Sequence, residues 1–427
     1  MKFFMKKDNK EDNENNNDNV IYVDAPKEAE ENNIRLQEKD KARKKLLIIL
    51  AIVGGIMLIV FAFLLSNREY KGYKVIQTNE TNYENVARYI QFSKNLLKYT
   101  PDGVSYIDAN GNTVWTAGVD MKMPVAVVSG DYAAVADLNG NVVCVFNSAG
   151  LVSSVTMPYT ICDVDVAKQG AFAVVLESAE TNYVNLYDKK GDIVYEMQTT
   201  LDKSGYPLDI SISDDGKKLF TSYINIGTAS VSNNLAAYNF GDVGQNSNAD
   251  RMVGGYKFDD QIVTKLEFLD NDTVAAFGTS SISIYSMKEK PAEKANIQLD
   301  GEIRSIFYSE KYIGTVQNVE SDTKGKIFNI KAYDLQGKCK FSKEIDFEYD
   351  DIYAADKEII IYGGNRCLIF RMNGSVKFDG SLSGNILSIV PNGKKLEYVV
   401  VYDDRTEIIK LKPDETDEKI LPESKGE

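Results

Sequence analysis

One short unit recurs along most of this chain: a strand ends in an aromatic residue, a turn closes on glycine, and a second strand leads away. Its copies are Tyr106-Ile-Asp-Ala-Asn-Gly111, Val145-Phe-Asn-Ser-Ala-Gly150, Leu186-Tyr-Asp-Lys-Lys-Gly191, Ala332-Tyr-Asp-Leu-Gln-Gly337 and Ile369-Phe-Arg-Met-Asn-Gly374. Looser versions are Tyr238-Asn-Phe-Gly-Asp-Val-Gly244 and Ile284-Tyr-Ser-Met-Lys-Glu289. Between the copies lie short runs rich in Val, Ile, Tyr and Phe, split by Gly, Asn and Asp. Short strands at regular spacing describe an all-β repeat fold, in which each unit buries its apolar face against its neighbours.

A second signature joins an apolar strand to the next through a tight glycine turn. Ser211-Ile-Ser-Asp-Asp-Gly-Lys-Lys-Leu219 and Ser388-Ile-Val-Pro-Asn-Gly-Lys-Lys-Leu396 match in spacing and nearly in identity. On these residues the chain resembles the β-propeller superfamily, whose WD40-like, TolB-type and quinoprotein-type blades carry a similar turn. The resemblance implies architecture and leaves the ligand open.

With four strands to a blade, the innermost strands begin near Asn85, Pro124, Ile161, Pro207, Ile262, Glu302, Asp351 and Asn385. That spacing averages near the roughly 40–45 residues of a four-stranded blade. It predicts eight blades, with seven as the alternative. After Lys394 the chain supplies only two convincing strands, Leu396–Tyr402 and Thr406–Leu411. The segment Lys74–Thr78 is expected to complete the last blade and close the ring, which leaves only short, protected strand edges.

Ahead of the repeats, Leu46 to Leu65 reads LLIILAIVGGIMLIVFAFLL, with no charged residue. About 20 helical residues cross a hydrocarbon core about 30 Å thick. A soluble helix of that length would show a polar face. No small-residue cleavage site follows, so the run reads as a transmembrane helix over 46–66 rather than a signal peptide. Arg35, Lys39, Lys41, Arg43, Lys44 and Lys45 precede it, against Arg68, Lys71 and Lys74 after it. The Lys/Arg-rich side stays in the cytoplasm, which predicts a cytoplasmic N-terminus and an extracellular C-terminal domain in the cell membrane. Residues 1–45, including Asn13-Glu14-Asn15-Asn16-Asn17-Asp18-Asn19, carry few apolar side chains and are expected to be disordered. The propeller is expected over 67–412, with a flexible tail at 413–427. A tail, one anchor helix and a propeller without histidine resemble an uncharacterised family of single-pass surface proteins of Gram-positive bacteria.

The formal charge is −14, and the N-terminal tail is balanced, so the excess acid belongs to the repeat domain. Such a domain repels polyanions and makes nucleic acid a poor partner. The chain has no histidine. That excludes Ser-His-Asp and Cys-His catalysis, histidine-ligated zinc or haem, and a histidine pH switch. Cys144, Cys162, Cys339 and Cys367 form no C-x-x-C pair, and their scatter over different blades predicts buried free thiols. Asp108-Ala-Asn110-Gly-Asn112 and Asp137-Leu-Asn139-Gly-Asn141 place oxygen side chains at alternate positions. Their glycine is fourth rather than sixth, so they read as hairpin turns rather than calcium loops. Ser321-Asp-Thr-Lys324 has S-x-x-K spacing but lies between strands, without the helix that chemistry needs.

The starts of the innermost strands give one constellation: Asp163, Asp209, Asp260, Asp300 and Asp351, with Lys265 and Arg304 among them. In the eight-blade register these are expected around one mouth of the central channel. A ring of one sign attracts a cation or a basic group, and mutual repulsion is expected to cost stability. The long loops at Ser178–Asn182, Ile224–Asn233 and Gln317–Lys326 are expected on the same face. The composition, without a catalytic motif, reads as a non-enzymatic binding or scaffolding module for a protein or cell-wall ligand, with no cofactor or metal. The alternative is a quinoprotein-like or hydrolytic enzyme with its site in the channel.

Overall fold

The computed structural model describes residues 27–80, 87–179, 181–200, 204–226, 230–247, 249–319, 325–355 and 357–413. The chain divides into two units at Ser66. The first contains a single helix, Lys27–Ser66. It begins well before the apolar run, so residues 27–45, expected to lack order, are helical. Their Glu, Lys, Arg, Gln and Ala residues are good helix formers, and a helix already nucleated in the apolar run extends through them at little cost. Residues 1–26 and 414–427 lie outside the described residues, as does Ser321–Lys324. Arg35–Phe61 is long and apolar enough to cross a membrane, and among the described residues it is the one such stretch.

The second unit is an eight-bladed β-propeller of eight four-stranded antiparallel sheets. Blade 1 spans Arg88–Gly118, blade 2 Pro124–Thr156, blade 3 Thr160–Thr199 and blade 4 Tyr206–Phe258. Blade 5 spans Val263–Gln298, blade 6 Ile303–Ile345 and blade 7 Asp351–Ser381. Within each of these the strands follow chain order from the channel outward. Blade 8 takes its three inner strands from Ile386–Pro391, Glu397–Tyr402 and Arg405–Lys412, and its outermost strand from Gly72–Glu80. Gly72 pairs with Lys412 and Glu80 with Arg405, with a bulge between Val75 and Gln77. The expected closing strand is therefore present and longer than the sequence suggested. Just before it, Tyr70 N–H donates to Lys377 O (2.8 Å) and Arg371 Nη2 to the Arg68 carbonyl (2.5 Å), laying residues 68–70 along the outer edge of blade 7.

The recurrent unit is the turn between the third and fourth strands of a blade. Asp108 Oδ1 accepts the N–H groups of Asn110 and Asn112 at 2.8 Å, and Asp188 and Asp334 hold their turns in the same way. The glycine must then turn through positive φ: 77° at Gly111, 93° at Gly191 and 78° at Gly337. A side chain there would be strained, which explains why the unit closes on glycine.

The apolar core is divided into eight clusters, one for each interface between neighbouring blades. Side chains of the outer strands add a polar latch to the turn of the next blade. Trp115 Nε1 donates to Ser148 O (3.0 Å), Ser153 Oγ to Lys189 O (2.9 Å), Tyr195 to Asp250 O (2.8 Å) and Tyr256 to Pro291 O (3.2 Å). Asn79 of the closing strand does the same to Asn110 O (2.7 Å), carrying the pattern across the seam.

All four cysteines are free, each on a different blade. Only Cys144 and Cys367 are buried; Cys162 is partly exposed and Cys339 exposed, because they occupy an inner-strand bulge and the start of an outer strand. Thiol labelling of the native protein should therefore modify Cys339 first and Cys162 more slowly, with Cys144 and Cys367 reacting only after denaturation. Fast native labelling of Cys367 would contradict its place between blades 7 and 8.

Candidate functional site

The first strands of the blades line a central cavity of about 740 Å³. In blades 3, 4, 5, 6 and 8 that strand carries a bulge at one place, with Cys162, Leu208, Thr264, Arg304 and Leu387 as the extra residues. A bulge re-aims the side chains beyond it. The positions after the first three bulges hold polar residues in alternation: Asp163 and Asp165, Asp209 and Ser211, Lys265 and Glu267.

These side chains bridge blade to blade. Asp163 Oδ2 accepts Ile210 N–H (3.0 Å), and Asp209 Oδ2 accepts Leu266 N–H (2.6 Å). One step along the strands, Asp165 Oδ2 accepts Ile212 N–H (2.8 Å) and the Ser211 hydroxyl (3.1 Å), while Ser211 Oγ accepts Phe268 N–H (2.8 Å). The remaining carboxylate oxygens are also engaged. Asp163 Oδ1 takes Val164 N–H (2.9 Å), Asp165 Oδ1 takes Val166 N–H (2.8 Å), and Asp209 Oδ1 takes Lys265 Nζ (3.1 Å). Tyr308 of blade 6 reaches Glu267.

The cluster therefore holds four carboxyl groups around one ammonium. Asp165 lines the cavity, and both it and Asp163 retain some exposure while protein closely surrounds them. Burial disfavours the charged form and dominates here. It pushes Asp163 up to about 6, and Asp209 and Glu267 up to about 8, against the pull of Lys265. Asp165 moves the same way. Lys265 is held well above its ordinary value, because Asp209 foremost, then Glu267 and Asp163, outweigh its own burial.

The seven residues singled out in the sequence thus separate into groups. Asp163, Asp209 and Lys265 come together, and Asp351 lines the same cavity from blade 7, accepting a bond from the Tyr362 hydroxyl at 3.2 Å. Asp260 is exposed in the loop before blade 5. Asp300, before blade 6, pairs with Lys331 (2.5 Å), which lowers its carboxyl below the usual range. Arg304 is a bulge residue, paired with Glu348 (2.9 Å) and lying 4.4 Å over the Phe328 ring. Asp165, Ser211, Glu267 and Tyr308 are members that the sequence reading missed. Polar residues two apart inside an otherwise apolar inner strand were the available signal.

A family of unknown function, DUF5711, matches residues 66–411. No curated protein matches the sequence. Among solved structures, Sqt1 of Chaetomium thermophilum, bound to the N-terminus of ribosomal protein L10, is similar at TM-score 0.52 and 12% identity, over 79% of this chain and 100% of that one. BamB from Moraxella catarrhalis is similar at TM-score 0.48 and 8% identity, over 80% and 100%. Sqt1 of Saccharomyces cerevisiae is similar at 0.48 and 11%, over 81% and 100%. At such identities the likeness concerns the fold.

Proposed function

The chain belongs to DUF5711, a family of unknown function, and we propose that it is a membrane-anchored, non-enzymatic binding or scaffolding module for a protein or cell-wall ligand. The observation that carries this reading is the use made of the channel aspartates. Every oxygen of Asp163, Asp165 and Asp209 accepts a hydrogen bond: each aspartate is tied to the next blade, and the second oxygens of Asp163 and Asp165 hold the N–H of the following residue, so these acids serve the scaffold. Recognition then falls to the loop-bearing faces, as is usual where a rigid scaffold carries connecting segments. The second strands of blades 3 and 6 end at Glu177 and Asn318, at one end of the channel, and their connections to the third strands leave from there. The chain enters the closing strand at Gly72, on the side of the turns at the other end. A rival reading rests on Glu267, whose raised carboxyl faces a cavity and suits a general acid. It requires a small molecule to enter the channel and predicts a binding-induced thermal shift that Glu267→Gln abolishes.

The helix within Lys27–Ser66 is read as the anchor, with the N-terminus inside, on the Lys/Arg asymmetry of its flanks. Protease added to intact cells should digest the chain beyond Tyr70 and spare an N-terminal epitope. Protection of the propeller would overturn the orientation. Cross-linking in intact membranes, followed by purification of the full chain, should recover a specific partner; recovery of the chain alone, across cross-linker lengths, counts against the binding reading.

A further inference from the structure

On blade 3, beside the loop that leads into it, the surface dips into a hollow of about 900 Å³. Its floor is a pair of tyrosines, Tyr159 from the loop before blade 3 and Tyr183 from that blade's third strand. The rings stack with centroids 4.9 Å apart and planes within 5°. A parallel stack covers one face of each ring, and Tyr159 remains 39% exposed. Burying a ring gains free energy that an exposed one forgoes, so an open tyrosine face in a hollow is a surface awaiting contact.

The polar groups around the floor have one sign. Glu177 lines the hollow, and the hydrogen bonds its side chain accepts among the described residues, from the Cys162 thiol (3.4 Å) and the Tyr206 hydroxyl (3.3 Å), both fall on Oε2. Glu196 lies near enough to act on the Tyr159 hydroxyl. No lysine or arginine lines the hollow among the described residues; Ser178, Thr181 and Gln198 complete its polar part. An aromatic face beside unneutralised carboxylates attracts a cation, through the ring quadrupole and the carboxylate charge together.

We propose that this hollow seats a cationic side chain, lysine or arginine, from a basic segment of a partner polypeptide, with Tyr159 as the platform and Glu177 as the counter-charge. The proposal rests on the binding reading above and names the chemistry of what is bound. The acidic domain as a whole would draw such a segment in, and the hollow would fix one of its side chains in place.

The test uses the full chain in detergent, with hexa-arginine as the probe and hexaglutamate and maltohexaose as controls, followed by calorimetry. Hexa-arginine should bind in a salt-sensitive way, and the controls should not. Tyr159→Ala should weaken binding about tenfold, Glu177→Gln should weaken it severalfold, and Tyr159→Phe, which keeps the ring, should change it little. Equal hexa-arginine affinity in Tyr159→Ala and the parent chain, with both melting alike, would overturn the proposal, as would a preference for maltohexaose. The membrane cross-linking separates the two ideas. A partner captured equally by the parent and Tyr159→Ala leaves the binding reading standing and removes the hollow from it. Capture of no partner by either counts against the binding reading itself.

Discussion

A chain beginning at Ala87 should fail to form a stable monomeric propeller, whereas one beginning at Asn67 should fold. The difference is the strand Gly72–Glu80 and its approach. Without them Arg405–Lys412 becomes an open edge, exposing the backbone groups now paired from Gly72 to Glu80. Ile408, Ile409 and Leu411, all buried, would lose part of their cover. The same truncation removes the bonds that Tyr70 and Arg68 make with blade 7, and the Asn79 latch onto blade 1. The seam it opens is also the one with the fewest buried apolar residues among those described: the cluster between blades 8 and 1 has five such members, whereas that between blades 7 and 8 has fifteen. Domains are stable by only about 5–15 kcal/mol, and loss of a whole strand at the thinnest seam is of that order. An unpaired edge also invites association. The expected result is a broad, low-midpoint urea transition with oligomers on gel filtration for the shorter chain, against one cooperative monomeric transition for the longer. A shorter chain with the longer chain's midpoint would show that the ring closes without its N-terminal strand.

The blade count was legible because its signals are local. In three of its copies the aromatic–turn–glycine unit is a turn capped by Asp at its start, and the glycine supplies positive φ at its end, so the signal is written within six residues. Closure by an N-terminal strand was legible from arithmetic, since blade 8 lacked one. The helix start was less so: residues 27–45 have the polarity of a disordered tail and the propensity of a helix, and the apolar run beside them decides between the two. The site was legible only in part, for a geometrical reason. Proximity to the start of an inner strand does not place a residue in the channel. Asp260 and Asp300 precede their strands and remain in loops, and Arg304 is turned out by the bulge. Asp163, Asp209 and Lys265 follow the bulge and turn in. Nothing local marks the extra residue, because a bulge appears only in the register of two paired strands.

That register also changes what neutralising an aspartate should do. Repulsion alone would make Asp→Asn stabilising, but each carboxylate accepts N–H groups on both oxygens, and an amide nitrogen facing one of them loses that bond. The cleaner probe is the cation. Lys265→Met keeps the length of the side chain and leaves the buried carboxyl groups without their counter-charge. Breaking a buried pair from one side costs about 3–5 kcal/mol, and contact with the channel favours the lower end. The pH dependence identifies the cause. Asp163 at about 6, and Asp209 and Glu267 at about 8, stand above the usual values of about 3.9 for Asp and 4.3 for Glu. The folded state therefore binds more protons than the unfolded one between about pH 4 and pH 8. These groups destabilise the fold progressively as pH rises through that window, and the cost is absent below it. Lys265 limits the cost by attracting the charged forms, and its own raised value matters only above its ordinary range of about 10.4. Removing it should raise the carboxyl groups further, so the variant should lose stability more steeply with pH than the parent. The expected difference is about 3 kcal/mol at pH 8, shrinking toward zero near pH 4.5, where the carboxyl groups are protonated in both proteins. Glu267→Gln should act in the opposite sense and flatten the parent's decline between pH 6 and pH 9. Urea melts at a series of pH values measure both slopes. A Lys265→Met cost that stays constant from pH 4.5 to pH 8 would mean lost packing, and the cluster would then not be held by charge.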